Sequence, residues 1–556
     1  MPNVQRTGSE VAFRVASEQL AALPGDPDLL ACDIDWAGPV ELELPDELAV
    51  QAACGIMHVH GRAAGRPQRL GVDYAGTLAG VLAAQGVLAA SLARARGAGF
   101  TSVRTSVSEA ALLSVQQYLA VATADDDWQE PWRAGGRPPF TSRDGVRFEL
   151  EVLHGEGWQR FWAELGTDRS AVAAGWRPFQ QRFATASADL PEALHRALRA
   201  VDYRTVAAVA DATGVSVLPV RDDPAPPVDV PACTFRTMPG IARRTEWRGP
   251  APLDGIVVVE STRRIQGPMV GHLLRMLGAE VIRVEPPGGD LMRGVPPLAG
   301  DCSARFRALN DGKHAVELDV KGERGRRELH ELVADADAFV HNWAPGKAAQ
   351  LGLDAGDLVR TSPGLVYAWS SGWEPLSWPE TPLGTDYLVQ AHSGLAAAVQ
   401  PADEPSAPSL MTLTDVLGGA VSAMGVLAAL LHRQRTGRGM RVDSSLFSAS
   451  GVLPRPSRRL KWTVLDHPLR TSDGFVVLSG RTDPERLAAV LGTTPEGIAE
   501  RFQERPSGFW AAELPVADVV ATPVCTDLRE LAGDRRFAAA LDHSTHTFPL
   551  APWEFS

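Results

Sequence analysis

The sequence feature that most constrains the fold is an internal repeat. The segment Glu47-Leu-Ala-Val-Gln-Ala-Ala-Cys-Gly55 resembles Asp386-Tyr-Leu-Val-Gln-Ala-His-Ser-Gly394, and Gly86-Val-Leu-Ala-Ala90 matches Gly425-Val-Leu-Ala-Ala429. In both pairs the second segment follows the first by 339 positions. A constant offset of this size predicts one module present twice, and it differs from the short period of a solenoid.

Composition and charge exclude several classes of protein. The 556 residues include 54 Lys and Arg against 67 Asp and Glu, a formal net charge of −13, whereas a general nucleic-acid binder carries a basic footprint. With 45% hydrophobic residues the chain has the apolar surface for a folded core. The five cysteines form no CxxC pair, which argues against a zinc site or a disulfide framework.

The sequence shows neither a targeting signal nor a membrane span. The N-terminus lacks the pattern of a signal peptide, and the most apolar stretch, residues 416–431, is shorter than the ~20 residues that a span needs. We therefore expect a cytoplasmic protein without a metal, a nucleic-acid partner or a membrane partner.

Composition also divides the chain. We expect an N-terminal extension at 1–45, a shorter and inactive copy of the module at 46–220, a Pro-rich linker at 221–253 and a complete copy at 254–556. Short β-branched runs alternate with helical patterns between 251 and 370, which predicts an α/β fold with a parallel sheet. Ligands of such sheets bind in the loops at the carboxyl ends of the strands.

Asp415 is the most informative candidate for chemistry. It precedes a long apolar segment that ends at Thr436-Gly-Arg-Gly439, so we place it near a helix N-terminus, where the macrodipole favours an anion. For an aspartate in that place the ordinary interpretation is a helix cap. The matching position in the first copy is Gly76, so only one copy carries a carboxylate there.

Three loops follow predicted strands and offer binding groups. Residues 264–268 open a helix but lack the GxGxxG pattern of a dinucleotide fold, 285–293 offer Arg293, and 342–346 precede Lys347. Each loop, taken alone, is also compatible with a surface turn. The sequence contains no GxSxG, HExxH or P-loop motif, so hydrolase, metalloprotease and NTPase activities lose their support.

The second copy resembles class III CoA-transferases, the CaiB/BaiF family. The resemblance rests on ordered motifs, which are Pro252-Leu-Asp-Gly255, Gln266-Gly-Pro268, Leu277-Gly-Ala-Glu-Val-Ile-Arg-Val-Glu285, Gly289-Asp-Leu-Met-Arg293, Asn310-Asp-Gly-Lys313, Asn342-Trp-Ala-Pro-Gly346, Asp386, Asp415 and Arg435-Thr-Gly-Arg-Gly439. It implies a Rossmann-like large domain with a parallel sheet, a smaller α+β domain, and interlocked dimers with active sites near the subunit contacts.

The resemblance also implies a mechanism and a set of site residues. Asp415 is the expected nucleophile, which forms a mixed anhydride with an acyl group and then an enzyme–CoA thioester. The family's CoA-contacting regions fall on Ile265, Gln266, Arg293, Asn310, Lys313 and Asn342, with Lys347 as a further contact, and Asp386 and Gln390 are expected to position substrate. Pro286 and Gln350 stand where some relatives have arginine. Thr385 replaces the histidine of the racemase branch, so racemisation by a His–Asp pair is disfavoured.

The leading hypothesis is a fused, intramolecular pseudo-dimer with one active site, so that the protein can be monomeric. It would transfer CoA from an acyl-CoA to a carboxylic acid. An acyl-CoA isomerase, racemase or lyase on the same fold, and a non-catalytic acyl-CoA-binding subunit, are the alternatives.

Overall fold

The computed structural model describes residues 9–25, 27–28, 30–124, 136–241, 245–374, 376, 378, 380–517, 519–544 and 546–556. Residues 9–124 are mainly helical, with α1 (Glu10–Ala22), β1 (Ala31–Asp35), α2 (Glu47–Ala53), α3 (Ile56–Gly61), α4 (Tyr74–Ala95), β2 (Ser102–Ser106) and α5 (Val107–Ala124). A small α+β region follows, with β3 (Phe140–Thr141), β4 (Arg147–Glu151), α6 (Gly155–Glu164), α7 (Arg169–Thr185), α8 (Glu192–Arg199), α9 (Tyr203–Thr213) and β5 (Ser216–Pro219), and then β6 (Cys233–Thr237).

Helices and strands alternate through the middle of the chain. They are β7 (Val257–Ser261), α10 (Gln266–Met276), β8 (Glu280–Glu285), β9 (Leu298–Ala299), β10 (Cys302–Ser303), α11 (Ala304–Asn310), β11 (His314–Glu317), α12 (Glu323–Ala334), β12 (Ala338–His341), α13 (Lys347–Leu351), α14 (Ala355–Leu358) and β13 (Val366–Ser371). Next come α15 (Asp386–Ser393), α16 (Leu395–Ala398), α17 (Leu413–Thr436), β14 (Met440–Ser445) and α18 (Leu446–Val452).

The C-terminal part contains a second small α+β region. Its elements are β15 (Leu469–Arg470), β16 (Phe475–Leu478), α19 (Pro484–Leu491), α20 (Ile498–Phe502), α21 (Ser507–Glu513), β17 (Ala521–Pro523), α22 (Leu528–Gly533), β18 (Leu541–Asp542), β19 (Phe548–Pro549) and β20 (Glu554–Phe555). Short 3₁₀ turns lie at Arg62–Ala64, Leu291–Gly294, Val464–Asp466, Pro495–Gly497, Leu514–Ala517 and Arg535–Phe537.

The largest sheet has seven strands in the order β11-β8-β7-β12-β13-β14-β6. The first six strands in this order run parallel to one another, and the seventh, β6, runs antiparallel to β14. Parallel neighbours require crossover connections, which α10 and α12 provide. The predicted α/β class with a mostly parallel sheet is confirmed. The carboxyl ends of β7, β8, β12 and β13 lie at one edge, where ligands of such sheets bind.

Two long apolar helices, α4 and α17, pack side by side in the interior. The hydroxyl of Tyr74 donates to the carbonyl oxygen of Leu413 at 2.9 Å, and Nε2 of Gln434 donates to that of Ala95 at 3.4 Å. The N-terminal ends of the two helices therefore lie side by side, as do their C-terminal ends, so the helices run in the same direction. Both helices are long and apolar enough to cross a membrane, but their apolar windows are 100% and 94% buried in the protein. They form the centre of the core.

A second sheet, of order β1-β2-β20, repeats one part of the large sheet. Strand β1 runs parallel to β2 with Asp35 opposite Ser106, as β13 runs parallel to β14 with Ser371 opposite Ser445. Strand β20 pairs antiparallel with β2, as β6 pairs with β14. A strand from late in the chain thus completes the N-terminal sheet, and a strand that precedes β7 completes the large one.

The described part of residues 1–45 packs into the N-terminal half of the fold, although the sequence pattern suggests an extension. A Cβ at Gly80 of α4 would lie 2.5 Å from the carbonyl oxygen of Ala12 and 2.8 Å from Cβ of Val15 in α1. A Cβ at Gly419 of α17 would lie 2.5 Å from Cβ of Met269 in α10. Helix α1 therefore lies on α4 as α10 lies on α17.

The two small antiparallel sheets, β3-β4-β5 and β15-β16-β17, pack crosswise. Helix α15 contacts β4 and β5, whereas α2 contacts β16 and β17. The backbone N–H of Arg221 donates to the carbonyl of Ala391 at 3.1 Å, and that of Cys525 donates to the carbonyl of Ala52 at 2.9 Å. Each small region therefore covers the helix of the other half of the chain.

Candidate active site

Asp415 lies in the first turn of α17, where its backbone is fixed by a second aspartate. Oδ2 of Asp386, the first residue of α15, accepts the N–H of Asp415 and the hydroxyl of Thr414, each at 2.8 Å. Among the described residues none donates a hydrogen bond to the carboxylate of Asp415 itself, and α17 has no side-chain cap. Asp415 therefore does not act as the helix cap.

Gln390 holds Asp386 in place one helical turn further on. Its Nε2 donates to Oδ1 of Asp386 and to the carbonyl oxygen of Ser409, the latter at 3.0 Å. Its Oε1 accepts the N–H of Ser409 at 2.9 Å. The two residues predicted to position substrate thus support the first turn of α17 by hydrogen bonds within the protein.

The environment opposes ionisation of both aspartates. Burial raises the pKa of Asp415 well above its usual range, the negative charges of Asp386 and Glu151 raise it further, and the positive charge of Arg264 lowers it. Burial also raises the pKa of Asp386 to about 6, although its hydrogen bonds from Gln390, Thr414 and the Asp415 N–H favour the anion. The pair therefore titrates at higher pH than isolated carboxyls do.

The N-terminal half contains a similar arrangement without the nucleophile. Oε2 of Glu47 accepts the N–H of Gly76 at 2.9 Å, and Oε1 accepts the N–H of Ala75 and Nε2 of Gln51, each at 2.9 Å. Burial raises the pKa of Glu47 to about 8. A Cβ at Gly76 would lie 3.0 Å from the hydroxyl oxygen of Ser9, which caps α1. The space beside Gly76 is therefore filled by the chain itself.

The loop between β7 and α10 brings Ile265, Gln266 and Asn342 next to α17. Oδ1 of Asn342 accepts the N–H of Arg263 at 3.0 Å, and its Nδ2 donates to the carbonyl of Arg263 at 2.8 Å. Nε2 of Gln266 donates to the carbonyl of Ser371 at 3.2 Å and would lie 3.2 Å from a Cβ at Gly418, one turn from Asp415. Gln266 thus lies one helical turn from the predicted nucleophile, with Ile265 next to it in the chain and Asn342 bound to the same loop.

The same loop exposes a cation towards the site. Arg264 is exposed, has a left-handed backbone with φ 67°, and its charge is felt by Asp415. A non-glycine residue in this conformation is held there by its surroundings, here by the two bonds from Asn342 to Arg263. Sequence analysis singles out the segment from Arg264 to Pro268 but does not identify Arg264 as a cation that acts on Asp415.

The predicted residues at the end of β8 and after α11 are engaged by the protein. Both Nε and Nη2 of Arg293 donate to the carboxylate of Glu285 at 2.8 Å, and its side chain is 40% exposed. Nζ of Lys313 donates to Oε1 of Glu260 at 2.9 Å, to the carbonyl of Pro268 at 2.8 Å and to Oδ1 of Asn310 at 3.1 Å. Burial lowers the pKa of Lys313 to about 8.

These contacts limit what each cation can offer to a ligand. An ammonium has three N–H donors, and those of Lys313 point to protein acceptors, so Lys313 and Asn310 support the edge of the sheet from within. Arg293 keeps an exposed face beside Glu285, and Lys347 lies partly exposed at the start of α13. Their roles in CoA binding stay predictions.

Residues of the N-terminal half also surround the site, and no motif marks them. Arg182 of α7 is buried, donates to Oε2 of Glu151 at 3.0 Å, and lies 4.6 Å from the ring centroid of Tyr387, the neighbour of Asp386. Tyr118 of α5 lies close enough to Thr412, the N-terminal flanking residue of α17, for that hydroxyl to lower the Tyr118 pKa. Only the crosswise packing of the two halves brings these side chains to Asp415.

Fold and site together define an α/β protein with a half-buried, unpaired carboxylate at the start of a core helix, beside the ligand-binding edge of a parallel sheet. The model of CoA-transferase family III matches residues 35–233 and 253–507. The chain belongs to this family.

Individual relatives match part of the chain. It is 36% identical over 201 residues to the acetyl-CoA:oxalate CoA-transferase of Acetobacter aceti, covering 36% of this chain and 52% of the relative. It is 35% identical over 257 residues to the succinyl-CoA:glutarate CoA-transferase of Mus musculus, covering 43% and 58%. The chain thus spans about half the length of these relatives. A CaiB/BaiF family protein from Brucella suis has a similar crystal structure, with a TM-score of 0.50, 27% identity, and coverage of 55% of this chain and 93% of that one.

Proposed function

We propose that the protein is a CoA-transferase that moves CoA from an acyl-CoA to a carboxylic acid, with Asp415 as the nucleophile. The observation that carries the proposal is the carboxylate of Asp415. It is held at the start of a core helix, receives no hydrogen bond from the described residues, and belongs to a member of CoA-transferase family III. A carboxylate that neither caps a helix nor pairs with a cation is available to react.

The reaction follows from the chemistry of a carboxylate and a thioester. An oxygen of Asp415 attacks the thioester carbonyl, the C–S bond breaks, and a mixed anhydride and CoA thiolate result. The thiolate attacks the aspartyl carbonyl of the anhydride and releases the donor acid, which leaves CoA as a thioester of Asp415. The acceptor carboxylate attacks this thioester and frees the thiolate, which then attacks the acceptor carbonyl of the new anhydride and restores Asp415.

The surrounding residues have distinct roles in this proposal. Arg264 favours the ionised, nucleophilic form of Asp415, against the effects of burial and of Asp386. Asp386 and Gln390 fix the backbone of the first turn of α17. Backbone N–H groups at the start of α10 are suited to hold the oxygen that becomes negative in each attack, since those of Leu413, Asp415 and Val416 at the start of α17 already bond within the protein.

CoA would lie at the carboxyl edge of the large sheet, along Ile265, Gln266 and Asn342. The exposed faces of Arg293 and Lys347 are suited to its phosphates. Asn310 and Lys313, which are bound to one another and to Glu260, would support this surface from behind.

We also infer that the chain is a fused tandem in which the N-terminal half is the inactive partner. Three observations support this: the pairs of residues 339 positions apart that bond across α4 and α17, the exchange of β6 and β20, and the crosswise packing of the small sheets. Gly76 removes the nucleophile from the first half, whereas Glu151 and Arg182 of that half complete the Asp415 site. A single chain then holds one site.

The experiment is a transfer assay with a trap for the covalent intermediate. Purified protein is incubated with a panel of acyl-CoAs and carboxylic acids, and new acyl-CoAs are identified by mass spectrometry. We expect exchange with at least one pair, and hydroxylamine treatment in the presence of acyl-CoA should convert the Asp415 peptide to a hydroxamate. Asp415→Asn is the control and should yield neither. Full exchange by this variant would contradict the proposal, and deuterium uptake at the substrate α-carbon without CoA exchange would favour an isomerase or racemase instead.

A further inference from the structure

Arg305, the second residue of α11, is buried without a carboxylate partner. The residue is 4% exposed, and its Nη2 donates to the carbonyl of Ala184 at the end of α7. Its Nε and Nη1 have no hydrogen-bond partner, and no Asp or Glu among the described residues forms an ion pair with it. The guanidinium lies 5.1 Å from the ring centroid of Tyr118.

Two other buried arginines are paired with carboxylates, and a third, Arg96, donates to backbone carbonyls and to the hydroxyl of Thr245 instead. Arg182 donates to Glu151 at 3.0 Å, and Arg283 donates to Glu260 at 2.8 Å and to Asp290 at 2.7 Å. Removing an ionised group from water without a counter-charge is strongly unfavourable, because neither hydration nor an ion pair compensates for the burial. Among the described residues, Arg305 alone has two buried guanidinium nitrogens without an acceptor, an arrangement that suits an anion supplied from outside the chain.

The position of Arg305 connects this anion to the site of reaction. Tyr118, whose ring faces Arg305, lies close enough to Thr412 for that hydroxyl to lower the Tyr118 pKa, and Thr412 is three residues before Asp415. The hydroxyl of Tyr118 also donates to the carbonyl of Phe183 at 3.1 Å, which ties the same ring to the end of α7. An anion on the free donors of Arg305 would therefore lie among elements that meet at the start of α17.

We propose that Arg305 and Tyr118 form a subsite for a substrate carboxylate near the start of α17. This inference rests on the proposed function, because CoA transfer brings a carboxylate to the site in two ways: as the acid that accepts CoA, or as a second carboxylate at the far end of a donor acyl group. A guanidinium with unused N–H donors on an aromatic face suits a carboxylate, which accepts charge-assisted hydrogen bonds. Tyr118 limits the depth of the subsite and keeps the guanidinium away from water.

The first test is binding, which does not depend on activity. The full chain is titrated with acetate at constant ionic strength, with sodium chloride as the balancing salt, and the midpoint of thermal unfolding is followed. A ligand that binds only the folded protein raises this midpoint with its concentration. We expect a rise for the wild type, a smaller one for Arg305→Lys and none for Arg305→Met. Arg307→Gln is the matched control, since Arg307 lies on the same helix but pairs with Asp301 at 3.0 Å, and it should respond as the wild type does. An equal rise in Arg305→Met would overturn the proposal.

The unliganded variants separate a binding role from a structural one. Since Met removes a buried charge and keeps an unbranched side chain, the ligand-free Arg305→Met protein should unfold at the wild-type temperature or above it. A clear fall in that temperature, together with an acetate response of Arg305→Met equal to that of the wild type, would mean that Arg305 only holds Ala184 and α7 in place.

Kinetics then distinguish the two sources of the carboxylate. If the subsite binds the acceptor, Arg305→Lys should raise KM for the acid at least about 10-fold and leave KM for acetyl-CoA unchanged. If it binds the end of a dicarboxylic donor, KM for succinyl-CoA should rise while KM for acetyl-CoA does not. A change in kcat alone would contradict both. Should the wild type transfer no CoA in any combination, the proposed function fails, while the acetate titration still decides whether the subsite exists.

Discussion

The Oδ2 atom of Asp386 lies 2.8 Å from the backbone nitrogen of Asp415, and the two carboxylates share no hydrogen bond. Asp386 therefore acts on Asp415 in two separate ways: it orients the helix turn that carries Asp415, and its charge opposes ionisation of the Asp415 carboxyl. Because Glu47 binds the N–H of Gly76 in the same manner at 2.9 Å, the orienting carboxylate is present in both halves, whereas the proposed nucleophile is present in one.

Replacement of Asp415 by Asn should abolish CoA transfer and leave the fold intact. An amide is a poor nucleophile, so we expect a loss of at least about 10³-fold in kcat. Among the described residues the Asp415 carboxylate receives no hydrogen bond, so the free energy of unfolding should change by no more than about 0.5 kcal/mol. Rates from the transfer assay and denaturant unfolding of the same preparation measure both quantities. A variant that unfolds early would assign Asp415 a structural role instead.

The pH dependence should report the charge of Asp386. Because the nucleophile is the anion and its pKa is raised by burial, by Asp386 and by Glu151, and lowered by Arg264, kcat/KM should increase as pH rises through that pKa. In Asp386→Asn the amide oxygen still accepts the Asp415 N–H, but the opposing charge is gone. The rising limb should therefore move to lower pH.

The same variant has an expected effect on stability. Burial raises the folded-state pKa of Asp386 to about 6, so its contribution to stability is fully present below the unfolded pKa and is lost as pH rises through about 6. Asp386→Asn should lack this loss between about pH 4 and pH 6. Profiles of kcat/KM and of the free energy of unfolding against pH, measured for the wild type and Asp386→Asn, test both predictions. If the rising limb of kcat/KM stays in place or moves to higher pH in the variant, Asp386 does not control the ionisation of Asp415.

The sequence predicts those features of the fold and site that depend on residues close together in the chain, and not those that depend on contacts between distant segments. The alternation of β-branched and helical segments predicts the parallel sheet, and the apolar run after Asp415 predicts α17 with Asp415 in its first turn. Lys313 occupies a predicted loop position, but the polar residues around it do not reveal that Glu260 and Pro268 bind its ammonium from other elements.

Contacts between the halves leave no sequence signal. Arg305 meets Ala184, Tyr118 lies near Thr412, and Arg182 meets Tyr387 because the two halves pack against each other. The repeat predicts that two halves exist, but neither spacing nor residue type indicates which side chains meet where they pack.

Restoring a carboxylate to the N-terminal half should not create a second active site. In Gly76→Asp the new Cβ would lie 3.0 Å from the hydroxyl oxygen of Ser9 and 3.3 Å from Oε2 of Glu47, and the added carboxylate would be buried beside another. We expect a loss of several kcal/mol in the free energy of unfolding. Gly76→Ala separates the effect of the Cβ from that of the charge and should cost much less. Combined with Asp415→Asn, Gly76→Asp should remain inactive, and CoA transfer by that double variant would contradict the interpretation.

Two glycines 339 positions apart should respond alike to alanine. A Cβ at Gly86 would lie 2.6 Å from Cγ1 of Val103 and 2.9 Å from Cδ1 of Trp553, and a Cβ at Gly425 would lie 2.9 Å both from Cγ1 of Val442 and from Sγ of Cys233. Near Gly86, Val103 belongs to β2 and Trp553 directly precedes β20, which completes the sheet of β2. Near Gly425, Val442 belongs to β14 and Cys233 to β6, which completes the sheet of β14.

Alanine at either glycine should therefore push apart a helix and an exchanged strand, at a cost of roughly 1–3 kcal/mol. Gly356→Ala is the control, because nothing lies within 4 Å of a Cβ there and the residue is in α14. It should be neutral or stabilise the protein by up to about 1 kcal/mol, as expected for alanine in place of a helical glycine. Urea unfolding of the three variants measures the differences. If Gly86→Ala and Gly425→Ala both behaved like the control, α4 and α17 would not pack against the exchanged strands as closely as the distances indicate.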